Sequence, residues 1–308
     1  MTAEVRRAAQ ILRAGGLVAF PTETVYGLGA DAANEKAVVR LYAVKGRPAD
    51  HPVIIHFASP DQAFTWAREI PQGARELGER FWPGPLTLIL KRSALAKDFV
   101  TGGQDTVGLR VPSHPVAQEL LKAFSGAIAA PSANRFGRVS PTTAAHVRED
   151  LGKDVELVLE GGPSDVGIES TIVDLSGGAA VLLRPGAVSR EQLEAIIPLT
   201  NGKSFVRHSG GLERHYAPRT PARLVPTHTL DKEIAALKDR VAVLAFSRPD
   251  ERVDFWLRMP REPQPYAQRL YAALRELDSA NCEQILVEAP PDTAEWAAVR
   301  DRLKRACS

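Results

Sequence analysis

Short apolar runs bounded by turn residues alternate along this chain with stretches in which apolar residues return every three or four positions. Val5, Ala8, Ala9 and Leu12 follow helical spacing, and Gly15-Gly16 stops that helix. Leu17-Val18-Ala19-Phe20 is a continuous apolar run, which predicts a buried strand, and residues 21–29 follow as a polar turn with two glycines. Asn34 caps a predicted helix with Ala37, Val38, Leu41 and Tyr42 on one face, ending at Lys45-Gly46. Strands are expected over 52–57, 86–90, 107–111, 127–130, 156–159, 170–175 and 180–183. Helices are expected over 61–67, 73–81, 114–124, from Ser140-Pro141 onward, and over 189–197 with a Ser189–Gln192 capping box. No apolar period runs through 198–221. Beyond it, a strand near Leu224, a helix over 231–237, a strand over 241–246, a helix over 266–277, a strand over 285–287 and a helix over 293–305 predict a small parallel α/β domain.

Composition narrows the class without naming it. The 308 residues suit two domains, and 44% hydrophobic with 25% charged residues is ordinary for a soluble globular protein. The formal net charge of +2 gives no global argument for nucleic acid. Cys282 and Cys307 are the only cysteines, which rules out a disulfide framework or a cysteine-rich metal site and fits a reducing cytosol. No run approaches the roughly 18 apolar residues of a membrane span, so no membrane partner is expected and the localisation read from the chain is cytoplasmic.

Familiar sites are missing. The chain has no Walker loop, dinucleotide fingerprint, His-Glu-x-x-His helix or Gly-x-Ser-x-Gly elbow. What remains are cations and hydrogen-bonding groups near element ends: Thr24, Lys45, Arg47, Thr106, Arg110, Ser132, Asn134, Ser140, Ser170 and Arg184. Several have a plainer local explanation, whereas Arg47, beyond the helix stop and before Pro48, is harder to dismiss. Lys45 suits the last turn of a helix that stops at Gly46. His56 near a strand end reads as a satisfied core histidine, and Ser140 as a helix cap. Arg110, a cation inside an apolar strand, needs an anion, which a buried salt bridge or a ligand can supply. Four cations among these could neutralise a triphosphate or a carboxylate. Phosphoryl and nucleotidyl transfer need positioning and charge neutralisation more than a protein nucleophile. An ATP-using enzyme and a basic surface for RNA backbone are both compatible with this set.

Six ordered stretches make the choice: residues 20–29 (Phe20-Pro21-Thr22-Glu23-Thr24 onward), Lys45-Gly46-Arg47-Pro48, Trp82-Pro83-Gly84-Pro85-Leu86-Thr87, Pro131-Ser132-Ala133-Asn134, Glu169-Ser170-Thr171 and Leu183-Arg184-Pro185-Gly186. Together they resemble the threonylcarbamoyl-AMP synthase family in its long form. The resemblance runs from about residue 5 to 220, and Arg214-His215-Tyr216-Ala217-Pro218 looks like that family's interdomain linker. It implies a YrdC-like twisted mixed-sheet catalytic domain over 1–198, a linker over 199–221 and a smaller Rossmann-like α/β domain over 222–308.

The implied reaction turns L-threonine, bicarbonate and ATP into threonylcarbamoyl-AMP and pyrophosphate for tRNA N6-threonylcarbamoyladenosine synthesis, with Mg²⁺ accompanying ATP and no organic prosthetic group. By the same resemblance Thr24, His56, Arg110, Ala130 and Ser170 hold threonine. Lys45, Arg47, His51, Thr106, Ser132, Asn134, Ser140, Arg184 and Tyr216 hold the nucleotide, and Lys45 and Arg47 are catalytic. His51 stands where the family has Asn, so a backbone contact is expected there. The product passes to a threonylcarbamoyl-transferase complex, and binding of double-stranded RNA is a further implication. Relatives that transfer a carbamoyl group from carbamoyl phosphate carry acylphosphatase-like and zinc-finger regions that this chain lacks.

Overall fold

Four strands in succession, each paired to a neighbour far away in sequence, set the frame of the N-terminal part. The structure, a computed structural model, describes every residue except Met1, Lys203, Lys238 and Asp239. The chain divides into two units, one formed by Met1–Phe136, Pro141–Asp165 and Glu169–Gly211, the other by Gly137–Ser140, Val166–Ile168 and Leu212–Ser308.

The first unit opens with α1 (Ala3–Arg13), β1 (Val18–Phe20), β2 (Gly27–Asp31), α2 (Glu35–Lys45) and β3 (Ile54–His56). It continues through α3 (Pro60–Phe64), α4 (Gln72–Phe81), β4 (Leu86–Lys91), α5 (Asp98–Thr101), β5 (Thr106–Arg110), α6 (Pro115–Phe124), β6 (Ile128–Ala129) and α7 (Ala144–Leu151). β7 (Leu157–Val158), β8 (Thr171–Asp174), β9 (Ala180–Arg184), α8 (Arg190–Glu194) and β10 (Leu199–Thr200) complete it. Among the described residues these strands form one mixed sheet in the order β10-β9-β8-β4-β5-β3-β6-β2-β1-β7. The β3–β5 and β4–β8 pairs are parallel, while β4–β5, β3–β6 and β2–β6 are antiparallel.

The sheet is buried on both faces. Val18 and Phe20 of β1 pack with Val5, Leu12, Leu120 and Leu121 from α1 and α6, whereas Leu17 and Ala19 join the larger cluster that holds Leu28, Leu41 and Leu88. Alternate side chains of one strand thus serve two cores, and the strand reads as an unbroken apolar run.

The second unit consists of β11 (Ala222–Val225), α9 (Leu230–Ala236), β12 (Val241–Ala245), β13 (Phe255–Arg258), α10 (Pro263–Asp278), β14 (Gln284–Glu288) and α11 (Ala297–Ala306). Its sheet runs β11-β14-β12-β13 with every pair parallel, as the alternation of strands and helices predicts.

Four local expectations are corrected. Residues 21–29 are not all turn, because β2 begins at Gly27 and pairs with β1 and β6. The Ser140-Pro141 helix start is displaced to Ala144, with the Thr143 side chain accepting from the His146 amide. The reason is that the carbonyls of Pro141 and Thr142 are already taken by the Tyr26 and Ser164 amides, so the helix cannot begin there. In the second unit β13 is an additional strand, and the final helix is preceded by a separate 3-10 turn over Ala294–Trp296.

Candidate functional site

Lys45 occupies the end of α2, and Gly46 follows it in the left-handed conformation (φ 63°) as a helix stop requires. Its side chain does not cap that helix. The ammonium donates to the carbonyls of Ser132 and Asn134, both at 2.6 Å, with only 2% of the residue exposed. The turn it grips is held from the other side as well, since Pro131 accepts from the Leu28 amide and the Ala133 amide donates to Tyr26. Burial and the neighbouring Arg47 push Lys45 well below the ordinary lysine range. The two short carbonyl contacts favour the ammonium and oppose that shift.

Arg47 is fixed by its own loop. Nη2 donates to the Pro52 carbonyl at 2.8 Å and Nε to the His51 carbonyl at 3.4 Å, and the guanidinium lies 5.6 Å from the centre of the Phe136 ring. The backbone of His51 therefore contacts Arg47, while its ring meets Phe136 edge-on at 5.4 Å. Burial, then the Arg47 charge, lowers the His51 pKa.

Arg184 ends β9 and donates through Nε to the Ser170 carbonyl at 2.9 Å and through Nη2 to its hydroxyl at 3.1 Å. That hydroxyl also meets Thr87 Oγ1 at 2.8 Å. Arg184 and Arg47 converge on one residue. Nη1 of Arg184 donates to the Ser209 carbonyl at 2.9 Å, and Nη2 of Arg47 donates to its hydroxyl at 3.4 Å. Thr106 opens β5 and lines a cavity with Pro52, Ile54, Thr87, Gly108 and Ser209.

The other half of the set lies where β3, β5 and β6 end. His56 and Arg110 are register partners on parallel strands. Ala130 follows β6, and its amide donates to the Ile54 carbonyl. His56 Nδ1 faces the same carbonyl at 3.3 Å, which places the proton on Nδ1 and leaves Nε2 as an acceptor. Burial, reinforced by the Arg110 charge, holds the His56 pKa down at about 3, so the ring is neutral. Thr24 Oγ1 meets Thr22 Oγ1 at 2.9 Å in the loop between β1 and β2. Arg110 donates from Nη2 to Glu23 at 2.7 Å, and both partners are buried. Arg110 Nε is buried and has no hydrogen-bond partner among the described residues.

Direct contacts thus join Lys45 to Ser132 and Asn134, Arg47 to His51, and Arg184 to Ser170. Ser140 and Tyr216 fall in the second unit. Tyr216 is buried there in a left-handed conformation (φ 61°), 4.2 Å from the His215 ring and 5.8 Å from Tyr271, with Arg302 over its face at 5.5 Å. Glu23, Phe136 and Ser209 contact site residues and carry no local signal of it. The nearest hint was Arg110, whose position inside an apolar strand demands an anion without saying which acid supplies it.

A mixed α/β unit in which Arg47 and Arg184 converge on one residue has the chemistry that suits anionic, oxygen-rich groups. Residues 10–186 match a family described as "Telomere recombination", and residues 188–308 match one described as "Threonylcarbamoyl-AMP synthase, C-terminal domain". The threonylcarbamoyl-AMP synthase of Pyrococcus abyssi (strain GE5 / Orsay) is 42% identical, over 98% of this chain and 94% of that protein. The threonylcarbamoyl-AMP synthase of Bacillus subtilis (strain 168) is 40% identical, over 98% and 92%. Among solved structures, P. abyssi Sua5 complexed with L-threonine superposes with a TM-score of 0.92 at 40% identity, covering 99% of this chain and 94% of that one. The chain belongs to the threonylcarbamoyl-AMP synthase family.

Proposed function

We propose that the protein is an L-threonylcarbamoyladenylate synthase, a nucleotidyltransferase acting in the cytoplasm for tRNA threonylcarbamoyladenosine synthesis. Support comes first from the near-full-length likeness to synthases of that name, one of them solved with L-threonine. The structural observation that carries the reading is the buried Arg110 Nε, a donor with no protein acceptor beside a neutral histidine. An amino-acid carboxylate supplies the missing acceptor.

In this reading Arg110 pairs the threonine carboxylate, while Thr24, His56, Ala130 and Ser170 surround the rest of the amino acid. The threonine amine captures bicarbonate as a carbamate with loss of water. A carbamate oxygen then attacks the α-phosphorus of ATP in line, and pyrophosphate departs. Lys45, Arg47 and Arg184 face the phosphates, with Thr106, Ser132, Asn134 and the His51 backbone completing the nucleotide side. Preorganised donors of this kind contribute about 3–4 kcal/mol each in other enzymes.

Among the described residues no group of three or more His, Cys, Asp or Glu side chains is placed to hold a metal ion. Mg²⁺ would therefore be carried by the triphosphate oxygens, where it neutralises charge on the leaving group. Handover of the product to a threonylcarbamoyl-transferase complex, and binding of double-stranded RNA, belong to the same proposal. The test is pyrophosphate release with ATP, bicarbonate and single amino acids. Release with threonine and its loss in Arg47→Ala are expected. Release that ignores threonine would overturn the assignment, and release that survives unchanged in Arg47→Ala would remove that residue from the mechanism.

A further inference from the structure

We propose that Glu23 is a positioning residue for amino-acid binding: it sets the rotation of the Arg110 guanidinium so that the Nε–H is offered to the substrate carboxylate. The inference rests on reading the β3–β5 strand ends as the threonine side of the site.

Arg110 is 4% exposed and Glu23 5% exposed, so this is a pair taken almost wholly out of water. Glu23 comes from the loop between β1 and β2, while Arg110 ends β5, on the far side of β2, β6 and β3 in the sheet. The carboxylate is gripped twice. Oε1 accepts from Arg110 Nη2 at 2.7 Å, and Oε2 accepts from the backbone amide of Ser113 at 3.1 Å. An acid held by a guanidinium at one oxygen and by a backbone amide at the other has little freedom to turn. It therefore transmits the orientation of the backbone to Arg110.

The grip is one-sided on the arginine. Glu23 engages Nη2 and leaves Nε buried with no partner. A pair built only to tie two chain segments together would gain from satisfying that donor, because an unmet buried donor is costly. A guanidinium presents its donors in a fixed fork, so whatever fixes Nη2 also fixes where Nε points. The neighbouring His56 leaves only an acceptor, Nε2, for a ligand, and so cannot take over carboxylate binding from Arg110.

The test uses the full chain and the variants Glu23→Gln and Glu23→Ala. Pyrophosphate release is measured against threonine at saturating ATP and bicarbonate, then against ATP at saturating threonine, with calorimetric L-threonine binding alongside. A displaced guanidinium should raise the threonine KM and Kd by about tenfold to hundredfold, by analogy with the cost of misplacing a positioning group. Gln, which keeps one acceptor for Nη2, should fall below Ala. The ATP KM and kcat should stay within about threefold, the pattern of lost uniform binding of one substrate. A purely structural pair would move both KM values together, or neither, and either result overturns the proposal. Should Glu23→Ala not fold, Glu23→Asp decides. Its carboxylate keeps the charge but cannot reach both Nη2 and the Ser113 amide, so threonine KM must rise there too, and an unchanged value counts against the idea. Wild-type protein that neither binds threonine nor releases pyrophosphate would instead overturn the synthase reading on which this one stands.

Discussion

Replacing Lys45 with methionine keeps the length of the side chain and removes the ammonium. In the structure that ammonium donates to two carbonyls at 2.6 Å, Ser132 and Asn134, and the residue is buried. Without it both carbonyls lose a charged donor in a place water does not fill, and an unmet buried acceptor costs about 1–3 kcal/mol. Against this stands the relief of no longer holding a cation out of water, which is worth several kcal/mol for a buried ion. The two terms oppose each other and are of similar size, so the net change in stability is expected to stay within about 2 kcal/mol of wild type.

The effect on chemistry should be larger and separable. On the proposed function, in which Lys45 is a preorganised cation on the phosphate side, its loss lowers turnover at least about a hundredfold, or about 2.7 kcal/mol. Threonine binding should persist, because Arg110 and His56 stand on β5 and β3 and Arg110 is held by Glu23. Urea unfolding, pyrophosphate release and calorimetric threonine binding measure the three quantities. A turnover rate equal to wild type would refute the reasoning, since the charge would then not matter, and a stability change well beyond about 2 kcal/mol would refute the near cancellation.

His56 makes stability depend on pH. Its folded pKa of about 3 lies below the ordinary 6.5, so between those values the unfolded chain binds a proton that the folded protein does not. Stability should therefore fall as pH drops through that window, with His56 contributing about 2 kcal/mol of loss between pH 8 and pH 5. Urea titrations of wild type and His56→Gln check this, and equal slopes against pH would exclude it. Gly102 tests the loop that holds Arg47. It has φ 61°, and an added Cβ would lie 2.2 Å from the Asp50 carbonyl oxygen. Gly102→Ala should cost about 2–4 kcal/mol through left-handed strain plus overpacking, and should raise the ATP KM. Differential calorimetry and pyrophosphate kinetics read the two effects.

The residues legible in the sequence were those whose local setting was already costly or already punctuated. Lys45 beside a helix-stopping glycine, Ser132 after a strand that runs into proline, and Arg110 inside an apolar strand each announced a position, and the structure places them at those element ends. Their partners were not legible, because a partner is chosen by topology. Glu23 precedes Arg110 by 87 residues, and Ser132 follows Lys45 by 87. The same cause explains the errors in the elements. The Ser140-Pro141 pair has good capping chemistry, and the helix is nevertheless displaced because Tyr26, far upstream, claims the Pro141 carbonyl. β2 escaped notice because Gly27 and Gly29 carry no side chains to make a pattern, and its strand character comes from its neighbours β1 and β6.

Lys45 shows how far local reasoning reaches. A lysine in the last turn of a helix ordinarily offsets the helix dipole at the surface for a few tenths of a kcal/mol. Here the same residue is driven inward, and its charge is spent on the carbonyls of a second turn. That arrangement is poor value as a helix cap and makes sense only if the ammonium and the turn must stay together. The turn carries Ser132 and Asn134, and the helix end delivers Arg47 two residues later into a loop whose carbonyls hold its guanidinium. One buried ammonium therefore sets the spacing between a pair of hydrogen-bonding groups and a cation, the kind of preorganisation that the proposed nucleotide site calls for.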